Sequence, residues 1–212
     1  SVINPVTQAV ALPAMPFDFA SVPRVTMIAC GTASYATLVA KYWFESIARM
    51  SVEVDVASEF RYREAPLPHG GLALFVSQSG ETADTLAALR YCKDHGQHIA
   101  SVVNVPGSSI ARESEVIFPT HAGPEIGVAS TKAFTCQLSV LAGLAIAAGR
   151  ARGSISRDAE IRLTRSLMEV PRHMITLLNQ DPIYEALAHE IAKARDVLYL
   201  GRGLSYPIAL EG

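Results

Sequence analysis

The apolar runs of this sequence limit its fold more than any other feature, because they lack the polar alternation of half-exposed strands. Helical spacing follows the first two runs, over residues 34–50 and 81–93. Continuous apolar strands that alternate with helices are typical of a parallel sheet covered on both faces. We therefore predict an α/β fold with a three-layer, doubly wound parallel sheet. Its continuous apolar strands are expected at residues 25–29, 71–76, 98–105 and 116–119, and residues 52–57 alternate like a further strand.

The chain divides into segments of different composition. Four prolines in the first 24 residues predict an extended arm. The sheet domain ends with a long apolar helix over residues 131–150. Two amphipathic helices then follow, over 156–180 and 181–195, and Pro171 is expected to interrupt or kink the first. The predicted segments are the arm (1–24), the sheet domain (25–150), a helical connector (151–195) and the start of a second repeat (196–212).

The second repeat is predicted from an echo of the first strand and turn. Residues 197–203 form an apolar run that ends in glycines, and Ser205 and Tyr206 follow it as Ser34 and Tyr35 follow the first strand. Such an echo indicates an internal repeat. We expect this repeat to be truncated and the chain to be a fragment of a longer protein. A natural terminus that docks on the sheet edge is the alternative.

Composition excludes several classes of protein. Half of the 212 residues are hydrophobic (50%) and 18% are charged, so the chain is expected to be ordered. The formal net charge of −2 argues against a nucleic-acid partner held by a basic surface. The longest strongly apolar run, 138–149, is too short to span a bilayer, and the chain does not open with a signal-peptide pattern. We therefore expect no membrane partner.

The cysteines are Cys30, Cys92 and Cys136, an odd number without a CxxC pair. This argues against a disulfide framework and against a zinc site. The glycines do not form a nucleotide-binding fingerprint. We therefore expect no metal and no cofactor, and a reducing, cytoplasmic location.

Residues 77–82 (SQSGET) are the most informative segment, because they join an apolar strand to a helix. A helix start offers unpaired N–H groups and the positive end of the helix dipole. With hydroxyl groups and the flexible Gly80, it can surround a phosphate without Lys or Arg. Helix capping by Ser or Thr explains the same spacing, and the sequence leaves both interpretations open. Glu81 would repel an anion, so we expect its side chain to point away.

Two further turns carry similar chemistry. Residues 30–34 follow another strand, and residues 125–132 lead into the long apolar helix. In a parallel sheet, turns at the carboxyl ends of the strands open at one edge. Three converging polar turns favour a pocket for a small polyhydroxylated anion. Lys132 either steers the anion there or is a solvated or structural lysine.

Seven blocks of this sequence resemble the SIS (sugar isomerase) fold, a flavodoxin-like sheet. More closely, they resemble the isomerase domain of the glutamine:fructose-6-phosphate aminotransferases, also called glucosamine-6-phosphate synthases. The match runs from about residue 25 to the end. It is specific because other SIS families share the SxSG turn but not the remaining blocks. The blocks are ACGT (29–32), YWFE (42–45), ASEFRY (57–62), SQSGETADT (77–85), NVPGSSIARE (104–113), EIGVASTKAFT (125–135) and YPIALEG (206–212).

This resemblance implies a set of substrate-binding residues. The family often has Ser where this chain has Ala33. A backbone contact survives that change and a hydroxyl contact does not. The implied residues are Ser77, Gln78, Ser79 and Thr82 for the phosphate, the Ala33 backbone beside them, Thr32 for the sugar, and Val128 and Ser130 along the sugar site.

The resemblance also implies a reaction, the synthesis of an amino sugar phosphate from fructose 6-phosphate and ammonia drawn from glutamine. That reaction needs a Lys for a Schiff base, a Glu that moves a proton and a His that opens the ring. In the family these residues lie in the second SIS repeat, beyond Gly212, and a glutaminase domain would precede residue 1. We therefore assign no catalytic residue here. We expect a homodimer that binds fructose 6-phosphate and is inactive by itself.

Two other functions are compatible with an SIS fold. A sugar-phosphate-sensing module of a transcription regulator needs a helix-turn-helix, which the first 24 proline-rich residues are too short to hold. A free-standing sugar phosphate isomerase or deaminase needs an acid–base pair, which we cannot assign in this sequence. The long motif set favours the aminotransferase.

Overall fold

A five-stranded parallel sheet forms the centre of the computed structural model, which describes residues 2–125 and 130–212. A two-stranded antiparallel hairpin precedes it. The strands are β1 (Ile3–Asn4), β2 (Ala9–Val10), β3 (Val25–Ala29), β4 (Val52–Val56), β5 (Leu72–Ser77), β6 (His98–Val103) and β7 (Val116–Pro119). The helices are α1 (Thr32–Trp43), α2 (Ala57–Phe60), α3 (Ala83–Asp94), α4 (Ser109–Glu113), α5 (Thr131–Ala151), α6 (Arg157–Leu178), α7 (Asp181–Ile191) and α8 (Ser205–Glu211).

The strand order of the sheet is β4-β3-β5-β6-β7, with every pair parallel. Counted within the sheet, this is the 2-1-3-4-5 order of flavodoxin-like folds. In such an order the chain crosses over between β3 and β5, and the crevice at that point is where ligands bind. The predicted fold class is confirmed.

Helices cover both faces of the sheet because consecutive strand residues are apolar on both sides. Alternate residues of β5 belong to two separate core clusters: Leu72, Leu74 and Val76 face one, and Ala73 and Phe75 face the other. Helices α1 and α5 cover the first face, and α2, α3 and α4 cover the second. This is the three-layer arrangement that the unbroken apolar runs predict.

The arm differs from a plain extended segment. Its first residues form the β1–β2 hairpin, in which Ile3 pairs with Val10. Further along, Phe17, Phe19 and Val22 are buried in the core cluster beneath α1 and α5. Prolines shape this segment, but its aromatic side chains fix where it lies, because burying a Phe ring is a large gain in apolar contact.

Two helical predictions need correction. The helix expected over 34–50 ends at Trp43, and a π-helical turn, Phe44–Ala48, continues it. Pro171 does not interrupt α6, which runs on to Leu178. Pro171 is exposed, so the carbonyl oxygen that proline leaves without an N–H partner can bond to solvent instead.

The strand expected over residues 197–200 is not formed. These residues pair with no strand in the described part of the chain, and Leu198 and Leu200 are 83% and 87% exposed. A strand is held by hydrogen bonds to a neighbour, so an apolar run without one stays irregular. The following α8 packs against α1.

Helix α5 is the most apolar helix of the chain that the structure describes. By length and composition it could cross a membrane, but 61% of its most apolar window is buried inside the fold. It packs along α1 and the π-helical turn. Burial of this kind is what a core helix of a parallel α/β sheet requires.

Candidate functional site

The candidate site lies where β3 and β5 end, at the crossover point of the sheet. Ala29 is opposite Val76 in the parallel register, so the turns that follow the two strands open at the same edge. The turn after β3 leads into α1 and the turn after β5 leads into α3. Because α1 and α3 cover opposite faces, a crevice is left between their N-termini.

A cavity of about 230 Å³ occupies this crevice. All the predicted site residues that the structure describes line it, and Val128 lies outside the described residues. None of the described residues that line the cavity carries a charge. The lining consists of Cys30, Thr32, Ala33, Val76, Ser77, Gln78, Ser79, Thr82, Ser130 and Gln137.

The turn between β5 and α3 directs its hydroxyl groups at its own backbone. Ser77 Oγ accepts a hydrogen bond from the Gly80 N–H (3.0 Å), and Ser79 Oγ accepts one from the Glu81 N–H (3.2 Å). A hydroxyl that accepts keeps its own proton for donation. The turn is thus held in shape while both hydroxyl protons stay available to a ligand.

The start of α3 is free of a protein cap. Thr82 occupies the N-cap position but makes no side-chain cap hydrogen bond. The first-turn N–H groups of a helix have no intrahelical acceptor, so here they lack a side-chain acceptor as well. This weighs against the interpretation that the hydroxyls of the SQSGET segment only cap the helix.

Glu81 is held away from the cavity. Its Oε1 accepts a hydrogen bond from the Ser109 N–H at 2.8 Å, so it caps α4 rather than α3. Hydrogen bonds from Ser109, the side chain first and the backbone second, lower the pKa of Glu81 below its ordinary value. The ionised carboxylate therefore has a fixed partner outside the cavity lining, as its expected orientation requires.

The turn between β3 and α1 also lacks a side-chain cap. Gly31 occupies the N-cap position of α1, and the Ser34 hydroxyl donates to the Gly31 carbonyl oxygen at 2.6 Å. Thr32 and Ala33 therefore face the cavity from the first turn of α1. Ala33 has only a methyl side chain, so its backbone is all it can offer to an anion.

The start of α5 is already occupied by an acid. Glu125 Oε2 accepts a hydrogen bond from the Ala133 N–H at 3.0 Å. Lys132 Nζ donates to the Pro124 carbonyl oxygen at 2.6 Å and does not line the cavity. Lys132 is therefore observed as a structural lysine that holds the segment before α5, and not as a residue of the cavity lining. Of the three helix starts around the cavity, those of α1 and α3 have open N-caps, and the start of α3 has the larger group of hydroxyls beside it, from Ser77, Ser79 and Thr82.

Sequence reasoning missed Gln137 and Val76 as lining residues, and it placed Cys30 in a converging turn without naming it as a site residue. Gln137 had a usable signal. It follows Ser130 by two helical turns and so lies on the same face of α5, and it is polar within an apolar helix. Cys30 faces the Thr85 hydroxyl across 3.9 Å, a contact between elements that no local pattern reveals.

No group of three His, Cys, Asp or Glu side chains that could hold a metal ion occurs among residues 2–125 and 130–212. The cavity instead presents hydroxyls, amides and backbone N–H groups. Such a set suits a polyhydroxylated phosphate ester, because neutral donors can bind an anion where a helix dipole assists them.

The fold and the site define a sugar-isomerase domain: the SIS domain family matches residues 18–147, and the chain belongs to that family. Within it, the closer resemblance stated from the motifs is also confirmed. The chain is 65% identical over 211 residues to a glutamine–fructose-6-phosphate aminotransferase [isomerizing] of Bradyrhizobium diazoefficiens, covering 99% of this chain and 35% of that protein. A Brucella abortus protein of the same name is 62% identical over 94% of this chain and 33% of its own length.

A solved structure agrees. The C-terminal domain of glucosamine-fructose-6-phosphate aminotransferase from Francisella tularensis superposes with a TM-score of 0.88 at 39% identity, over 91% of this chain and 55% of that one. The chain thus spans about a third of the length of the curated relatives it matches.

Proposed function

We propose that the cavity binds fructose 6-phosphate and that the chain acts as the first SIS half of a glutamine–fructose-6-phosphate aminotransferase. The observation that carries this proposal is the open N-terminus of α3, which has no side-chain cap and faces an uncharged cavity lined by hydroxyls. Such a helix start attracts an anion. The choice of fructose 6-phosphate as the anion follows from the names of the relatives.

In this proposal the two sides of the cavity have different tasks. Ser77, Ser79 and Thr82 on the α3 side hold the phosphate through hydroxyl protons and first-turn N–H groups. Thr32 and Ser130, from α1 and the start of α5, face the sugar. The phosphate contacts fix the substrate at one end, so that the rest of the sugar is held in one orientation.

The chain binds and orients substrate in this proposal but does not itself turn it over. None of the described lining residues is a Lys, Glu or His, the side chains that a Schiff base, a proton transfer and ring opening require. We propose that these come from a second SIS repeat and the ammonia from a glutaminase domain. All three cysteines are free, which suits the reducing cytoplasm that we propose as its location.

Calorimetric titration with fructose 6-phosphate tests the phosphate site. We expect the double variant Ser79→Ala, Thr82→Ala to bind at least about tenfold more weakly, because each hydrogen bond to a charged group contributes about 1.5–3 kcal/mol. Unphosphorylated fructose should give no measurable binding to the unaltered chain.

The matched control is Ser166→Ala with Thr176→Ala on α6, whose hydroxyls donate to carbonyl oxygens of their own helix. This variant should keep the original affinity. Equal affinity of the site variant and the control would contradict the assignment, and so would equal binding of fructose and fructose 6-phosphate.

A further inference from the structure

Two carboxylates flank the start of α3, and each is bound to a partner outside the cavity lining. Glu81 accepts a hydrogen bond from the Ser109 N–H at 2.8 Å. Asp84, in the first turn of α3, accepts one from Arg61, whose Nη1 lies 2.5 Å from Asp84 Oδ1. Neither Arg61 nor Asp84 lines the cavity. Each acid beside the open helix start therefore has a partner of its own.

The guanidinium of Arg61 is held in place by its neighbours. It follows Phe60, the last residue of α2, which is 1% exposed and whose ring lies 5.7 Å from that of Tyr91 on α3. The guanidinium also lies 4.8 Å from the centre of the Tyr62 ring, a cation–π contact. Ordinary surface ion pairs are weak partly because two long side chains must be ordered. Arg61 is already ordered, so its pair with Asp84 loses less.

The carboxylate of Asp84 lies close to where an anion would bind. The first-turn N–H groups of α3, which have no intrahelical acceptor, include that of Asp84 itself. A phosphate that accepts from these groups would lie within roughly 8 Å of the carboxylate, because a short side chain joins the carboxylate to the same backbone. Like charges at that separation repel measurably near a protein surface. An unpaired Asp84 would therefore oppose the anion that the helix start attracts.

We propose that Arg61 is a positioning residue of the anion site: it binds and neutralises the Asp84 carboxylate, so that the first turn of α3 stays open to phosphate. The inference rests on the proposed function and goes beyond it, because it explains how a phosphate site can include an acid in its own helix turn. The alternative is an ordinary ion pair that stabilises α3 and has no effect on ligand affinity.

The variant Arg61→Met removes the charge and keeps much of the apolar side chain. We expect it to bind both fructose 6-phosphate and inorganic phosphate about three- to tenfold more weakly, because the unpaired Asp84 charge repels the phosphate of either ligand. Calorimetric titration at low salt measures both affinities. The double variant Arg61→Met, Asp84→Asn should recover the wild-type affinities, and Arg61→Lys should recover most of them because it keeps the charge.

Salt concentration provides a readout that a merely structural arginine would not change. When salt is raised from about 0.02 M to about 0.5 M, mobile ions screen the repulsion, so the phosphate affinity of Arg61→Met should rise toward that of the wild-type chain. The wild-type chain and the double variant should change little. A loss of affinity that is the same at both salt concentrations would overturn the proposal, because displacement of the loop would then be its cause.

The matched control is Arg90→Met, which removes the same charge from α3 itself. Arg90 pairs with Glu113 at 2.6 Å and lies roughly 9 Å further along the helix than Asp84, so both affinities should stay unchanged. If Arg61→Met does not fold, Asp84→Asn alone serves in the same titrations. It leaves the Arg61 charge unopposed and should bind inorganic phosphate about threefold more tightly.

The outcomes separate this inference from the proposed function. Wild-type affinity in Arg61→Met, an equal loss in Arg90→Met, or a loss that Asp84→Asn does not restore would each overturn the role of Arg61 alone. Unchanged phosphate affinity in the single variant Asp84→Asn would do the same. A wild-type chain that binds neither ligand would overturn the proposed function and this inference together.

Discussion

At the scale of single residues, Gly80 joins the turn of the candidate site to the start of α4. Its backbone φ of +68° is one that residues with a side chain rarely adopt. An added Cβ would also overlap the Oγ and Cβ atoms of Ser108. The Gly80 carbonyl oxygen also accepts a hydrogen bond from the Ile110 N–H at 3.0 Å. The turn between β5 and α3 and the start of α4 are therefore fitted together at a point where only glycine has room.

The substitution Gly80→Ala tests this fit. We expect the free energy of unfolding to fall by about 2–4 kcal/mol, because backbone strain and overpacking act together. Urea unfolding measures the loss. Gly96→Ala is the control, since Gly96 has a φ of +67° with no atom near its missing Cβ, and it should lose only about 1 kcal/mol. Equal losses would show that Ser108 does not restrict the turn.

At the scale of elements, the N-terminal hairpin is bound to α6 by a buried carboxylate. Glu160 accepts hydrogen bonds from the Val10 N–H at 3.0 Å and from Arg157 at 2.8 Å, and Arg150 is 3.2 Å away. Nearby, the Thr164 hydroxyl donates to the carbonyl oxygen of Gln8. Two segments far apart in sequence are thus joined through one acid.

Glu160→Gln is expected to loosen this junction, with a pH signature. Burial alone would raise the pKa of Glu160, but hydrogen bonds from Arg157 and Val10 and the Arg157 and Arg150 charges outweigh it and lower the pKa below 4.5. A carboxyl group whose pKa is lowered by folding stabilises the folded chain at pH values above its ordinary pKa of 4.5. This stabilisation disappears as the pH falls through the lower pKa of the folded state.

At pH 7 the Gln variant should be less stable by about 1–2 kcal/mol, and the difference should shrink below pH 4.5. Urea unfolding at several pH values measures it. Glu169→Gln, an exposed acid paired with Arg172 on the same helix, should change stability by less than about 0.5 kcal/mol. A gap between wild type and the Glu160 variant that is the same at every pH would contradict the role of the charge.

The elements show which parts of the structure the sequence could predict. The ends of β3 and β7 and the converging turns follow from local patterns. Continuous apolar runs indicate strands buried on both faces, and Gly, Ser and Thr next to them indicate turns. The hairpin and the π-helical turn could not be predicted, since tertiary contacts decide them. Gln137 was missed for a different reason: its helix was expected to be buried on most sides, so the spacing that places it two turns after Ser130 on the same face was not used.

At the scale of the whole molecule, the C-terminal part leaves much apolar surface in contact with solvent. Helix α7 has no buried residue, and Leu178, Ile183 and Leu187 are all more than half exposed. Large apolar patches are typical of surfaces that another protein covers. The homodimer expected from the sequence stays a prediction, and this surface is where we place its contact.

Sedimentation velocity at micromolar concentration tests that contact. We expect a dimer for the unaltered chain and a monomer for Leu178→Lys, because a charge cannot be buried there without a partner. Thr176→Lys, an exposed position on the same helix turn with the same added charge, should remain dimeric. A monomer for the unaltered chain would rule out the dimer, and a dimeric Leu178→Lys would place its contact elsewhere.

The uncharged lining of the cavity has a consequence for the setting in which such a protein works. Sites that hold phosphate with Lys or Arg lose affinity as ionic strength rises, because mobile ions screen the exposed charges. In the proposed phosphate site, hydroxyls and helix N–H groups take the place of cations, and screening acts weakly on such short-range contacts. Occupancy should then follow the concentration of the sugar phosphate itself and change little when the salt content of the surroundings changes.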